Sequence, residues 1–139
     1  MAEKYKVPDH KSPILSEPVS GYICADYYNL ANRGISKKYL KHVLKQAKLS
    51  VEEFIKILPI SIDTYKRKTE FNPTVSEKVL EVEEVYRKGR NAFGDSFYDW
   101  MSTSNVALGN VKPKELLSNS FGIRILLDEI GRMEHGILN

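Results

Sequence analysis

The chain is poor in cysteine: one, Cys24, in 139 residues. A lone thiol closes no disulfide within its own chain, which excludes the disulfide-stapled class of small secreted domain. Three histidines, His10, His42 and His135, stand far apart, and none has another histidine or a cysteine at ligand spacing, so no zinc motif is present. No apolar run approaches the roughly 20 residues of a membrane span. The opening MAEKYKVPDHKSPILSEPVSG has no apolar centre of the kind a secretory signal carries. A glycine-rich phosphate loop is missing too. Cys24, in a helical stretch among aromatics, suits a buried apolar role better than that of a nucleophile. Glu81, Glu83 and Glu84 crowd one helix and read as a solvated face. The expectation is a cytoplasmic protein that is not an enzyme, with no catalytic residue, metal or cofactor.

Apolar residues, by contrast, make up 42% of the chain, enough to build a core and too many for wholesale disorder. The net charge is only +3, but it is unevenly spread. From Arg33 to Lys68 there are ten Lys/Arg against three Asp/Glu, whereas residues 69–139 carry a net −3. A basic middle followed by an acidic half suggests two roles on one chain.

From Tyr22 onward the periodicity is helical, and no segment alternates convincingly with period two, so the fold is expected to be all-α. Residues 1–20, with Pro8, Pro13 and Pro18, read as a flexible arm. Tyr22, Ile23, Tyr27 and Leu30 then recur at helical spacing until Gly34. Ser36 is an N-cap candidate for a helix with Tyr39, Leu40, Val43, Leu44 and Ala47 on one face, and lysines 37, 38, 41, 45 and 48 on the others. Ser50 with Glu53 forms a capping box for a short helix that buries Val51, Phe54, Ile55 and Leu58. Pro59 ends it. Ser61 caps a second short helix with Ile62 and Tyr65 expected inward.

Two short helices joined by a tight turn, the second polar and basic outside, describe a helix-turn-helix. Proline stands where the turn often has glycine, and Ile55 where the first helix often has a small residue. Ser61 and Thr64 are short enough to let the helix approach base edges. Lys66, Arg67 and Lys68 reach phosphates, and Asp63 suits both the helix dipole and a cytosine amino group. These six residues are the candidate DNA contacts over a domain of residues 21–73.

Beyond Asn72-Pro73, Thr74 or Ser76 is expected to cap a long helix with a Val75, Val79, Val82, Val85, Tyr86 and Phe93 stripe. Gly94 closes it and Asp95 caps the next, which carries Phe97, Tyr98, Trp100 and Met101. Asn105-x-Ala107-Leu108-Gly109 reads as a turn, and Pro113 suits a first helical turn. Ser118 or Ser120 is expected to cap a last helix with Ile123, Leu126, Leu127, Ile130 and Met133 inward. Gly122 and Gly131 cost this helix about 1 kcal/mol each against alanine, which points to close approach by a backbone, from within the chain or from a partner. Gly136 can end the helix.

From Trp100 to Gly136 the sequence resembles the C-terminal toxin-binding domain of Xre/MbcA/ParS antitoxins. That family's tryptophan, Asn-x-Ala-Leu-Gly turn, Pro-x-Glu-Leu-Leu helix start, glycine opening the last helix and terminal Arg-x-Glu-x-Gly stand here as Trp100; Asn105, Ala107, Leu108 and Gly109; Pro113, Glu115, Leu116 and Leu117; Gly122; and Arg132, Glu134 and Gly136. Residues 60–68 also resemble the Xre-like recognition helix, in which Ser-x-x-Thr precedes basic residues.

With the all-α periodicity, the resemblance implies an N-terminal helix-turn-helix domain, then a small helical dimerisation and toxin-binding domain over residues 74–139. It implies a type II antitoxin that forms a homodimer, represses its own operon at operator DNA, and blocks a RES-type NAD-consuming toxin or a related ADP-ribosyltransferase-like toxin. Arg132, Glu134, His135, Gly136, Ile137, Leu138 and Asn139 are then the expected toxin contacts. A second reading stays open on sequence alone: a stand-alone helical adaptor whose helix-turn-helix half binds protein and never meets DNA.

Overall fold

The computed structural model describes residues 23–136. The arm expected over residues 1–20, Tyr22, and the terminal Ile137, Leu138 and Asn139 lie outside the described residues, as do the side chains of residues 23–25. The protein is all-α: helices α1 (Ile23–Arg33), α2 (Lys37–Ala47), α3 (Val51–Ile57), α4 (Ile62–Arg67), α5 (Pro73–Phe93), α6 (Ser96–Met101) and α7 (Ser120–Glu134), with short 3-10 turns at Val106–Leu108 and Pro113–Ser118 between α6 and α7. The chain divides into two compact units after Leu80, inside α5.

In the first unit, local signals place the helix ends. Gly34 turns the chain with φ +89°, a left-handed conformation in which a side chain is strained, and a Cβ there would also meet the Phe71 carbonyl. Ser36 accepts from the Tyr39 N–H at 3.1 Å and starts α2, which buries Tyr39, Leu40, Val43 and Ala47. Leu44 is half-buried. The capping box is complete: Ser50 Oγ accepts from the Glu53 N–H at 3.1 Å, and Glu53 accepts from the Ser50 N–H at 3.0 Å. α3 stops at Ile57 and the chain is extended at Leu58, ahead of Pro59.

Ser61 caps α4, and Tyr65 is buried from it, its ring stacked 6.4 Å from Phe71. Ile62, expected inward, is instead 37% exposed, and Tyr65 is the residue α4 buries. The cap of α5 is neither Thr74 nor Ser76 but Asn72, whose Oδ1 accepts from the Val75 N–H at 2.9 Å. Ser76 is fully buried and bridges two loops: it accepts from the Ile35 N–H at 2.9 Å and donates to the Phe71 carbonyl at 3.3 Å. The first turns of α5, with Val75, Ser76 and Val79 buried, thus serve the first unit.

The second unit is built on an aromatic cluster. Phe97 is fully buried, 5.6 Å edge-on from Tyr86 and stacked 5.6 Å from Trp100 and 6.5 Å from Phe93. Trp100 is half-buried. Gly89 in α5 leaves the space that the Phe97 ring occupies. Glu83, expected on a solvated face, is buried, and Glu81 accepts from Ser120 Oγ at 3.0 Å. That bond, and one from Ser118 Oγ to the Glu115 carbonyl at 3.3 Å, occupy both serines expected to cap α7. Asn119 caps it instead, accepting from the Gly122 N–H at 2.9 Å. Asp95 makes no side-chain cap for α6; Ser96 Oγ closes that corner on the Phe93 carbonyl at 2.8 Å.

Candidate functional site

In the first unit, α4 presents a short cationic surface. Lys66, Arg67 and Lys68 are exposed, as are Ser61 and Asp63, with Thr64 half-buried. The six sequence candidates therefore lie together on or beside one helix. Two of them are already engaged in holding the fold. Ser61 Oγ accepts from the Thr64 N–H at 3.1 Å and lies 3.0 Å from Thr64 Oγ1. Their hydroxyls hold the start of α4 and can present only their remaining valences outward. Ile62 joins this surface, a residue that its place in the apolar pattern had assigned to the core.

The far end of α4 is held by a residue outside the α3–α4 pair. Lys37 of α2 donates from Nζ to the Lys66 carbonyl at 3.0 Å, and its ammonium lies 4.6 Å from the centre of the Tyr65 ring. The Lys37 N–H also donates to the Thr69 carbonyl at 2.8 Å, and the Phe71 N–H to the Ile35 carbonyl at 3.0 Å. A cation on the last carbonyls of a helix suits its dipole. The loop after α4 is thereby fastened to the start of α2.

In the second unit, the described members of the expected C-terminal contact set are Arg132, Glu134, His135 and Gly136, all exposed. Arg132 pairs with Glu129 at 2.8 Å. The His135 ring Nδ1 lies 3.0 Å from the Gly131 carbonyl, to which it donates in the tautomer that carries its proton on Nδ1. His135 is thus part of the cap of α7.

The apolar pattern of the sequence did not single out a second surface on the same helix. Ile123, Leu126 and Ile130 fill the inward stripe of α7, and Phe121 and Ile125, four residues apart, fall on the opposite side, 72% and 46% exposed. Arg124 lies over the Phe121 ring at 5.4 Å. A signal was present: SFGIRILLDEIGR holds more large apolar residues than one face of a helix accommodates. Nearby in sequence, Val106 in the Asn105 turn is 82% exposed. The two interior glycines separate cleanly. A Cβ on Gly122 would come within 2.8 Å of the Leu116 carbonyl carbon, so its close approach is internal; at Gly131 a Cβ would meet nothing within 4 Å.

Among the described residues no helix is long and apolar enough to cross a membrane. Residues 88–136 match the family model of the antitoxin Xre/MbcA/ParS C-terminal toxin-binding domain. No curated protein matches the chain. The matched stretch runs from the end of α5 through α7, so the outward face bearing Phe121 and Ile125 lies within the segment that is similar to that toxin-binding domain.

Proposed function

We propose that the chain is the antitoxin of a type II toxin–antitoxin pair: its second unit binds and occludes a RES-type, NAD-consuming toxin, and its first unit places α4 in operator DNA to repress its own operon. The observation that carries the reading is the outward apolar pair Phe121 and Ile125 on α7, inside the matched toxin-binding segment. Fully burying a Phe or Ile side chain is worth about 1.5–3 kcal/mol, so the pair can anchor an interface of the usual size, about 1,200–2,000 Å². Inhibition is steric. The apolar face docks, and the end of the chain from Arg132 onward covers the dinucleotide site. That the toxin is of the RES type rests on the motif resemblance alone.

On the DNA side, the major groove is about 12 Å wide and admits one helix. Arg67 suits guanine, Ile62 suits a thymine methyl, and Lys66 and Lys68 suit phosphates. A homodimer would set two such helices at half-sites about 34–36 Å apart.

The test is co-expression with the neighbouring toxin gene, followed by titration of toxin NADase activity with purified antitoxin. Phe121→Ser with Ile125→Ser is expected to raise the concentration needed for half-inhibition at least tenfold while leaving the melting temperature unchanged. Removal of residues 134–139 is expected to weaken inhibition more than DNA binding. Full inhibition by the serine pair would refute the docking face. Toxin binding without any retardation of upstream DNA would leave a helical adaptor in place of a repressor.

A further inference from the structure

A helix on a merely solvated surface tends to mix its charges, placing Glu and Lys three or four residues apart so that each supports the other. The second unit follows this rule: Glu84 pairs with Lys88 at 3.8 Å and Glu129 with Arg132 at 2.8 Å. α2 breaks it. Its sequence KKYLKHVLKQA has no acidic residue, and two lysines occupy its first turn, where the helix dipole disfavours cations. Lys37 is compensated there by the Lys66 carbonyl and the Tyr65 ring. Lys38, Lys41 and Lys45 are exposed and have no ion-pair partner among the described residues. They lie three and four residues apart, so like charges stack along one outward row. A row that weakens its own helix and finds no partner within the unit is suited to an anion from outside.

Position and spacing specify which anion. The row starts beside Lys37, which grips the end of α4, so its first lysine lies next to the helix proposed for the groove. Seven residues separate Lys38 from Lys45, a rise of about 10 Å at about 1.5 Å per residue. About three phosphates of one DNA strand, each rising about 3.4 Å along the duplex axis, match that length when the row lies along the axis. We infer that Lys38, Lys41 and Lys45 form a second contact track, which lies on the phosphate backbone of the duplex whose groove receives α4. The inference rests on the DNA-binding reading of the first unit. The track carries no base readout. It sets affinity and register, and α4 sets sequence preference.

The experiment is fluorescence anisotropy with the full chain on two labelled duplexes, the DNA upstream of its own gene and a scrambled version, over a range of salt. At about 0.9 per phosphate contact, Lys38→Gln/Lys41→Gln/Lys45→Gln is expected to lower the slope of log affinity against log salt by about 2.7. Affinity should fall by the same factor on both duplexes, so their ratio is kept. The matching arginine set, which keeps the charges, should keep the slope, and this holds the test open even if the glutamine set folds poorly. An unchanged slope in the glutamine set, with wild-type binding intact and Lys66→Gln/Arg67→Gln/Lys68→Gln defective, overturns the track and leaves the DNA-binding reading standing. A changed affinity ratio also overturns it, because the row would then be acting through α4. No binding by the wild type on either duplex overturns the parent reading and the track with it.

Discussion

Replacing Gly122 by alanine, and separately Gly131, adds one methyl group to each of two turns of α7. Both changes relieve the same backbone cost of glycine in a helix, about 1 kcal/mol. They differ in what the methyl meets. At position 122 it comes within 2.8 Å of the Leu116 carbonyl carbon and 3.0 Å of its Cα, and at 131 it meets nothing within 4 Å. The obstacle at 122 is backbone of the 3-10 turn Pro113–Ser118, tied down by buried Pro113 and Leu117, and cannot rotate away as a side chain would. Overpacking of this kind costs up to about 3 kcal/mol. The net expectation is a loss of about 2 kcal/mol for Gly122→Ala and a gain of about 1 kcal/mol for Gly131→Ala. Urea unfolding followed by fluorescence reads both, since the only tryptophan, Trp100, stacks on Phe97 in the same unit. With a slope near 2 kcal/mol per M, the midpoints should move by about 1 M down and 0.5 M up. Midpoints that moved together, in either direction, would refute the reasoning. If Gly131 is kept for close approach by the toxin, its alanine variant should also bind toxin more weakly while being the more stable protein.

Three further outcomes follow from particular contacts. Ser76→Ala leaves the buried Ile35 N–H and the Phe71 carbonyl without their shared partner; a loss of about 1–3 kcal/mol is expected, read by urea unfolding of the first unit by circular dichroism. Ser50→Ala opens the capping box of α3 and should cost about 0.5–2 kcal/mol, with toxin inhibition unchanged. His42 has its Nε2 buried without a hydrogen-bond partner among the described residues, and burial, then the Lys45 charge, push its pKa below 6.5. The unfolded chain therefore takes up this proton first as pH falls, so stability should decline below pH 6.5 and level off under the folded-state pKa; in His42→Leu that part of the decline should vanish from a plot of urea midpoint against pH.

The helix content, the stops at Gly34 and Pro59, the caps at Ser36, Ser50 and Ser61, and the Asn105 turn were legible in the sequence. Each depends on atoms within a few residues of one another. A serine hydroxyl reaches an N–H three positions on whatever the rest of the chain does. The motif string from Trp100 to Gly136 was legible for the same reason, and it led to the family that residues 88–136 match. What the serines near α5 and α7 would do was not legible, because several candidates stood side by side. Packing chose Asn72 and Asn119 as caps, sank Ser76 into the core 41 residues from its partner Ile35, and gave Ser120 to Glu81 across 39 residues. The same long-range decisions buried Glu83 and left Ile62, Phe121 and Ile125 at the surface. An apolar side chain carries no mark of which face it will occupy. That is set by which neighbours arrive from distant parts of the chain, and only the folded structure brings them together.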